Sequence, residues 1–222
     1  MRFHVVTIFP EIFSSYFRQS IMARALKKRI LSVRFFNPRD FTVNKHKKID
    51  DRPYGGGPGM VMMAEPILKS VEQIKKNRKL QAKSYKLIIL SPRGKKFTNI
   101  YARNLTKRYS DIILICGRYE GIDARVKKIL RAEKISMGNY VLSGGEVPAM
   151  AVIEATARQL PGFLGKAESL EESRTASGEV FTRPEVLKWP PPGRGKKGKN
   201  YKVPKVLLSG HHDKISSWRS KR

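Results

Sequence analysis

Glu154 and Arg158 stand four residues apart in a stretch, 147–160, patterned as a helix, so both side chains share one face. Pro161-Gly162-Phe163-Leu164-Gly165 follows, and then the acids Glu168, Glu171 and Glu172. The Glu154–Arg158 spacing also suits a plain exposed ion pair. The acid cluster suits either a solvated loop or a general base held beside a bound base, its pKa tuned by a nearby positive field. Four glycine-bearing segments bear on binding: Tyr54-Gly55-Gly56-Gly57-Pro58-Gly59-Met60, Ser91-Pro92-Arg93-Gly94, Gly117-Arg118-Tyr119-Glu120-Gly121 and the run from Ser136 to Glu146. Glycine permits positive φ and lets backbone approach a ligand closely.

Those segments need elements to hold them. Strand-like runs fall at His4–Phe9, Ser32–Phe36, Lys86–Ser91 and Asp111–Cys116. The third and fourth contain Leu87-Ile88-Ile89-Leu90 and Ile112-Ile113-Leu114-Ile115, continuous apolar runs suited to strands buried on both faces of a parallel sheet. Helical patterns cover about 11–29, 65–78, 98–108, 122–131 and 147–160, with Pro10 and Pro66 in first-turn positions. The alternation implies an α/β fold with a mostly parallel sheet. In such sheets ligands bind at the carboxyl ends of the strands. The second and third glycine segments directly follow the two best strands, so they frame one crevice there. Residues 44–60 read as a long charged, glycine-rich loop. Residues 161–205, with Pro190-Pro191-Pro192 and a Lys/Gly-rich run, read as a linker to a short C-terminal element.

Charge narrows the function class. The 222 residues carry 46 Lys+Arg against 18 Asp+Glu, a net charge of +28. Residues 1–132 hold net +21 and residues 188–222 net +10, while residues 133–185 hold net −3. Two basic flanks around an acidic island suit a polyanion such as nucleic acid, bound with counterion release. The single cysteine, Cys116, excludes a disulfide framework and a Cys-built zinc site. No apolar run reaches the roughly 18 residues of a membrane span, and Met1–Val6 lacks a signal-peptide pattern. The expectation is a cytoplasmic globular protein with no membrane partner.

Two motifs fall short. Gly193–Asn200 nearly spells a P-loop, but Asn200 stands where the Mg²⁺-binding Ser/Thr belongs and three prolines precede it in place of a strand. No G-x-G-x-x-G follows an early strand, so the Rossmann fingerprint is absent. His211-His212 lacks a Cys or carboxylate cluster nearby, and no metal ligands are expected there.

Longer motifs are recognisable. They are Asp50-Asp51-Arg52-Pro53-Tyr54-Gly55-Gly56-Gly57-Pro58-Gly59-Met60, Cys116-Gly117-Arg118-Tyr119-Glu120-Gly121, Gly138-Asn139-Tyr140-Val141-Leu142-Ser143-Gly144-Gly145-Glu146, Thr182-Arg183-Pro184-Glu185 and Leu207-Leu208-Ser209-Gly210. In this order the sequence resembles the bacterial tRNA (guanine-N1)-methyltransferases of the TrmD type, over most of residues 1–187 and again over 203–219.

The resemblance implies a SPOUT fold: a mostly parallel sheet with helices on both faces, tied in a deep C-terminal trefoil knot. It implies S-adenosylmethionine bound in that knot, tRNA as substrate, methylation of the guanine at position 37 beside the anticodon, and a homodimer with a shared active site. Mg²⁺ is a candidate assisting ion. Carried over by position, the cofactor contacts are Leu90, Ser91, Pro92, Gly117, Tyr119, Glu120, Gly121, Met137, Gly138, Tyr140, Leu142, Gly144, Gly145 and Pro148. Arg158, by its place before Pro161-Gly162-Phe163-Leu164-Gly165, matches the catalytic arginine. The expected RNA contacts are Asp50, Arg52, Tyr54, Gly55, Gly56, Gly57 and Arg183, with Lys196, Lys197 and Lys199 of the basic run.

The sequence also departs from the family pattern. The family has an Asp-Ser pair after a run like Ser169-Leu170-Glu171-Glu172, and here the run continues Ser173-Arg174: either Ser173 stands in place of the Asp, or one residue is deleted and Glu172 supplies the carboxylate. Because the chemistry needs a base, the expected one is Glu172, with Glu171 second. Asn139 stands where an Asp is usual. The extra run Pro191–Lys202 and the short C-terminus suggest a methyltransferase domain at 1–165, a linker with catalytic loop and basic insertion at 166–205, and a reduced tRNA-binding element at 206–222. The rival readings are a non-catalytic basic RNA-binding protein and a SPOUT enzyme acting on ribosomal RNA.

Overall fold

The computed structural model describes residues 1–78, 80, 84–165, 179–190 and 198–220. They belong to two compact units, Met1–Ala167 and Glu168–Arg222. The first unit runs β1 (Arg2–Val6), α1 (Ser14–Phe17), α2 (Ser20–Lys27), β2 (Ser32–Phe36), β3 (Asp50–Asp51), β4 (Val61–Met62), α3 (Ala64–Arg78), β5 (Tyr85–Lys96), α4 (Asn99–Arg108), β6 (Asp111–Cys116), α5 (Ala124–Leu130), β7 (Glu133–Ser136) and α6 (Glu146–Ala157). The second holds β8 (Val186–Trp189), β9 (Lys199–Lys202), α7 (Lys205–Leu208) and α8 (His212–Ser220).

Five strands form one sheet in the order β2-β1-β6-β5-β7, and every pair is parallel. All six residues of the central strand β6 are buried. Successive side chains point to opposite faces, so Ile112, Leu114 and Cys116 enter one core and Ile113 and Ile115 the other. The first core takes α1, α2, α4 and α6 through Phe17, Met22, Leu105 and Val152. The second takes α3 and α5 through Ile67, Val71, Ile74 and Val126. Burial on both faces is why β6 reads as an unbroken apolar run.

The helix starts follow capping chemistry. The Thr98 side chain accepts the Tyr101 N–H at the start of α4, and Asp123 accepts the Arg125 N–H at the start of α5. The stretch at 11–29 is not one helix. It is a 3₁₀ turn, Pro10–Phe13, then α1 and α2, parted by extended backbone at Gln19. Each piece buries its own anchors, Phe13 and Phe17 in the first two and Met22 and Ala25 in the third.

Further features depart from the sequence reading. The short strand β7 lies where none was expected; it carries only Ile135 as an apolar residue and gains its ladder from β5. Strand β5 runs past Ser91, and its register shifts so that Leu90 and Lys95 both pair with Ile135. Gly94 lies within that shift: a Cβ there would meet the Ile135 backbone at 2.5 Å. Finally, the stretch read as linker contains the antiparallel hairpin β8–β9.

At the amino edge of the sheet, Arg2 forks onto Asp111 with hydrogen bonds of 2.7 and 2.6 Å. The Ser110 hydroxyl donates to Asp111 at 2.7 Å, and His4 Nε2 lies 2.9 Å from its Oδ1. Burial alone would push the Asp111 carboxyl up. The bonds from Arg2, His4 and Ser110 outweigh it and hold the group well below the usual carboxylate range.

Candidate functional site

The bulge of β5 and the carboxyl ends of β6 and β7 open into one cavity of about 430 Å³. Leu90, Ser91 and Pro92 line it from the bulged part of β5. Gly117, Tyr119, Glu120 and Gly121 come from the loop after β6. Met137, Gly138, Tyr140, Leu142, Gly144 and Gly145 come from the segment after β7, and Pro148 from the first turn of α6. The structure thus brings every expected cofactor contact to one place. A cavity of this size, with an apolar floor at Leu90 and Ile135 and a rim of loop backbone, fits a nucleoside-sized ligand.

Close backbone packing gives the cavity its walls. The Gly145 N–H donates to the Gly117 carbonyl at 2.9 Å. A Cβ on Gly145 would stand 2.7 Å from Cys116 Cα, so only glycine allows this approach. Cys116 itself is buried, and burial pushes its thiol up, which leaves it a packing residue and no thiolate.

A charged clamp that the sequence did not single out holds these loops. Arg118 Nε donates to Glu146 Oε2 at 3.0 Å, and its Nη1 to the Ser143 carbonyl at 3.4 Å. The Thr7 hydroxyl donates to Glu146 Oε1 at 2.8 Å and accepts the Phe9 N–H at 3.0 Å. The Arg118 guanidinium lies 4.7 Å from the centre of the Phe9 ring. Glu146 is 1% exposed, so the clamp is a buried, compensated charge joining the exits of β1 and β6 to the start of α6. Arg118 stands within Cys116–Gly121 and Glu146 at the end of Gly138–Glu146. A lone Arg and a lone Glu bounding glycine loops was the available signal.

The Gly55–Gly57 run carries positive φ at each residue, and Tyr54 is fully exposed. Asp50 pairs with Met62 across β3–β4. The Glu120 N–H donates to the Met60 carbonyl at 3.0 Å and the Met62 N–H to the Gly121 carbonyl at 2.9 Å, which docks this arm on the rim of the cavity. Arg52 on the same arm is exposed.

Arg158 lies elsewhere. It caps the carboxyl end of α6, while Pro148 at the other end lines the cavity. Ten helical residues rise about 15 Å. Its neighbour Glu154 accepts the Tyr16 hydroxyl, whose pKa is pushed up by burial and by that carboxylate. Glu171, Glu172, Lys196 and Lys197 lie outside the described residues. Arg183 and Lys199 are exposed in the second unit. Among the described residues, no three His, Cys, Asp or Glu side chains gather into a metal site, and no helix is long and apolar enough to cross a membrane.

The whole chain, residues 1–222, matches the family described as tRNA (Guanine-1)-methyltransferase TrmD. Curated relatives named tRNA (guanine-N(1)-)-methyltransferase are similar along their length. One from Clostridioides difficile (strain 630) is 45% identical over 219 residues, covering 99% of this chain and 90% of the relative. Another from Pseudoalteromonas atlantica is 46% identical over 224 residues, covering 99% of this chain and 79% of the relative. A third from Pelotomaculum thermopropionicum is 43% identical over 222 residues, covering 100% and 84%. With glycine loops meeting at one sheet edge and this similarity spanning the chain, the protein belongs to the TrmD family of tRNA (guanine-1)-methyltransferases.

Proposed function

We propose that this chain transfers a methyl group from S-adenosylmethionine to N1 of the guanine 3′ of the anticodon, position 37 of tRNA. The convergence of all the expected cofactor contacts on one nucleoside-sized cavity carries this reading, together with the family to which the chain belongs. S-Adenosylmethionine supplies an electrophilic methyl carbon when bound.

The chain's own groups do the rest. Leu90, Gly117 and Leu142 hold the nucleoside part between packed loops, and the Arg118–Glu146 clamp keeps those loops together. Guanine N1 carries a proton at neutral pH and must lose it to become a nucleophile. Glu172, with Glu171 as the second candidate, accepts that proton. Negative charge then develops on O6, and Arg158 stabilises it through charged hydrogen bonds. Holding N1 in line with the methyl carbon supplies a further share of the rate. Asp50, Arg52, Tyr54 and the Gly55–Gly57 arm contact the RNA at the cavity rim, and Arg183, Lys196, Lys197 and Lys199 take phosphates.

The separation of Arg158 from Pro148 along α6 supports a homodimer in which the arginine of a second copy completes the site. Membership of the family supports a threaded, trefoil-knotted backbone. No step is assigned to Mg²⁺. The test is transfer of a radiolabelled methyl group to tRNA, followed by mapping of the modified nucleotide. Label at N1 of guanine 37 is expected. Label confined to ribosomal RNA, or none, refutes the reading.

A further inference from the structure

Residues 186–205 carry Lys188, Arg194, Lys196, Lys197, Lys199, Lys202 and Lys205 and no Asp or Glu. The described parts of this run form the ribbon β8–β9. Leu187 pairs with Tyr201 and Trp189 with Lys199, so these four side chains share one face. Val186, Lys188, Asn200 and Lys202 occupy the other. The Val203 N–H donates to the Glu185 carbonyl at 2.9 Å and extends the pairing by a step.

The apolar face is open. Trp189 is 59% exposed, Tyr201 52% and Leu187 51%. The chain's other tryptophan, Trp218, packs on Phe181 with ring centroids 6.3 Å apart. Lys199 Nζ lies 5.7 Å from the centre of the Tyr201 ring. Trp189 and Tyr201 are diagonal neighbours across the ribbon, and such pairs stand about 7–8 Å apart. That gap accepts one planar ring between them.

We propose that the Leu187–Trp189–Tyr201 face is a stacking platform for unpaired bases of the tRNA, with Lys199 on that face and Lys188 and Lys202 on the opposite face taking phosphates of the same RNA chain. The chemistry is that of single-strand RNA binding: flat aromatic rings, which every base can stack on, set among cations. Charge decides between RNA and protein as the occupant. A stretch with seven cations and no acid complements a phosphate chain along its whole length. The proposal rests on the reading of the chain as a tRNA enzyme.

The test uses the full chain with Trp218→Phe, which leaves Trp189 as the sole tryptophan. Titration with a uridine oligonucleotide and with tRNA should quench its emission. Should that variant fold poorly, the difference in emission between the native chain and Trp189→Phe reads the same signal. The pair Trp189→Ala and Tyr201→Ala should weaken RNA binding about tenfold while leaving its salt slope unchanged, because no charge is lost. Lys188→Ser with Lys202→Ser should lower the slope. A Trp189 emission that RNA does not quench and acrylamide does not reach shows the face covered by protein and overturns the proposal. Methyl transfer by the native chain is measured in parallel. Transfer without quenching removes the platform alone, whereas quenching without transfer removes the enzymatic reading and keeps the platform.

Discussion

Arg118 and Glu146, 28 residues apart, meet at 3.0 Å with the carboxylate buried. Their bond joins the loop after β6 to the first turn of α6, and both segments wall the cavity. Thr7 bonds the second carboxylate oxygen, so three chain segments depend on one side chain.

Glu146→Ala removes one partner of a buried pair, a change that costs about 3 kcal/mol or more. Thermal unfolding should fall accordingly. Glu146→Gln keeps the shape and loses the charge, so it should fold better than the alanine variant. Both should bind S-adenosylmethionine more weakly than the native chain, by roughly tenfold if about 1.4 kcal/mol of loop positioning is lost. Native affinity by calorimetry in Glu146→Gln would show that the charge does not position the loops.

Gly145→Ala puts a methyl group 2.7 Å from Cys116 Cα. Overpacking of this kind costs about 1–3 kcal/mol. The expected result is a folded protein with lost cofactor binding, read by circular dichroism and calorimetry. An alanine variant that binds normally would mean that the backbone shifts without disturbing the cavity.

Asp111 predicts an acid limit to stability. Its folded carboxyl is held below the ordinary value near 3.9. Such a group adds stability that is complete above its unfolded pKa and is lost as pH falls towards the folded one. Stability should therefore decline below about pH 4. Asp111→Asn should lower stability at neutral pH by about 3 kcal/mol and flatten the decline in acid. Denaturant melts at several pH values measure both.

Glu172→Gln should abolish methyl transfer while tRNA binding survives, and Arg158→Ala should lower kcat. If the second copy supplies Arg158, mixing Arg158→Ala with Gly145→Ala protein should raise activity above that of either variant alone. Full activity in Glu172→Gln moves the assignment to Glu171.

Replacing Arg194, Lys196, Lys197, Lys199 and Lys202 with Ser should weaken tRNA binding and reduce its salt dependence. Each lost phosphate contact lowers the log–log slope by roughly 0.7–0.9. An unchanged slope means that the basic run does not touch the phosphates.

Much of the fold was legible in the residues. Strands β2 and β6 fall on the expected bounds, and β6, buried on both faces, is apolar at each of the five positions after Asp111. Helices α3, α4 and α5 begin near Pro66, Thr98 and Asp123, local signals that need no tertiary partner. The glycine loops were readable for the same reason, since spacing and type are local properties. Tertiary structure decided the rest. Strand β7 exists because β5 pairs with it, and β8 and β9 because each supplies the other's ladder. Whether Glu146 is a surface acid or a buried clamp depends on Thr7 and Arg118, which are distant in the chain. That Arg158 stands far along α6 from the cavity follows from where α6 packs on the sheet. Sequence order carries local propensity and residue chemistry; only the packed sheet determines which of those residues meet.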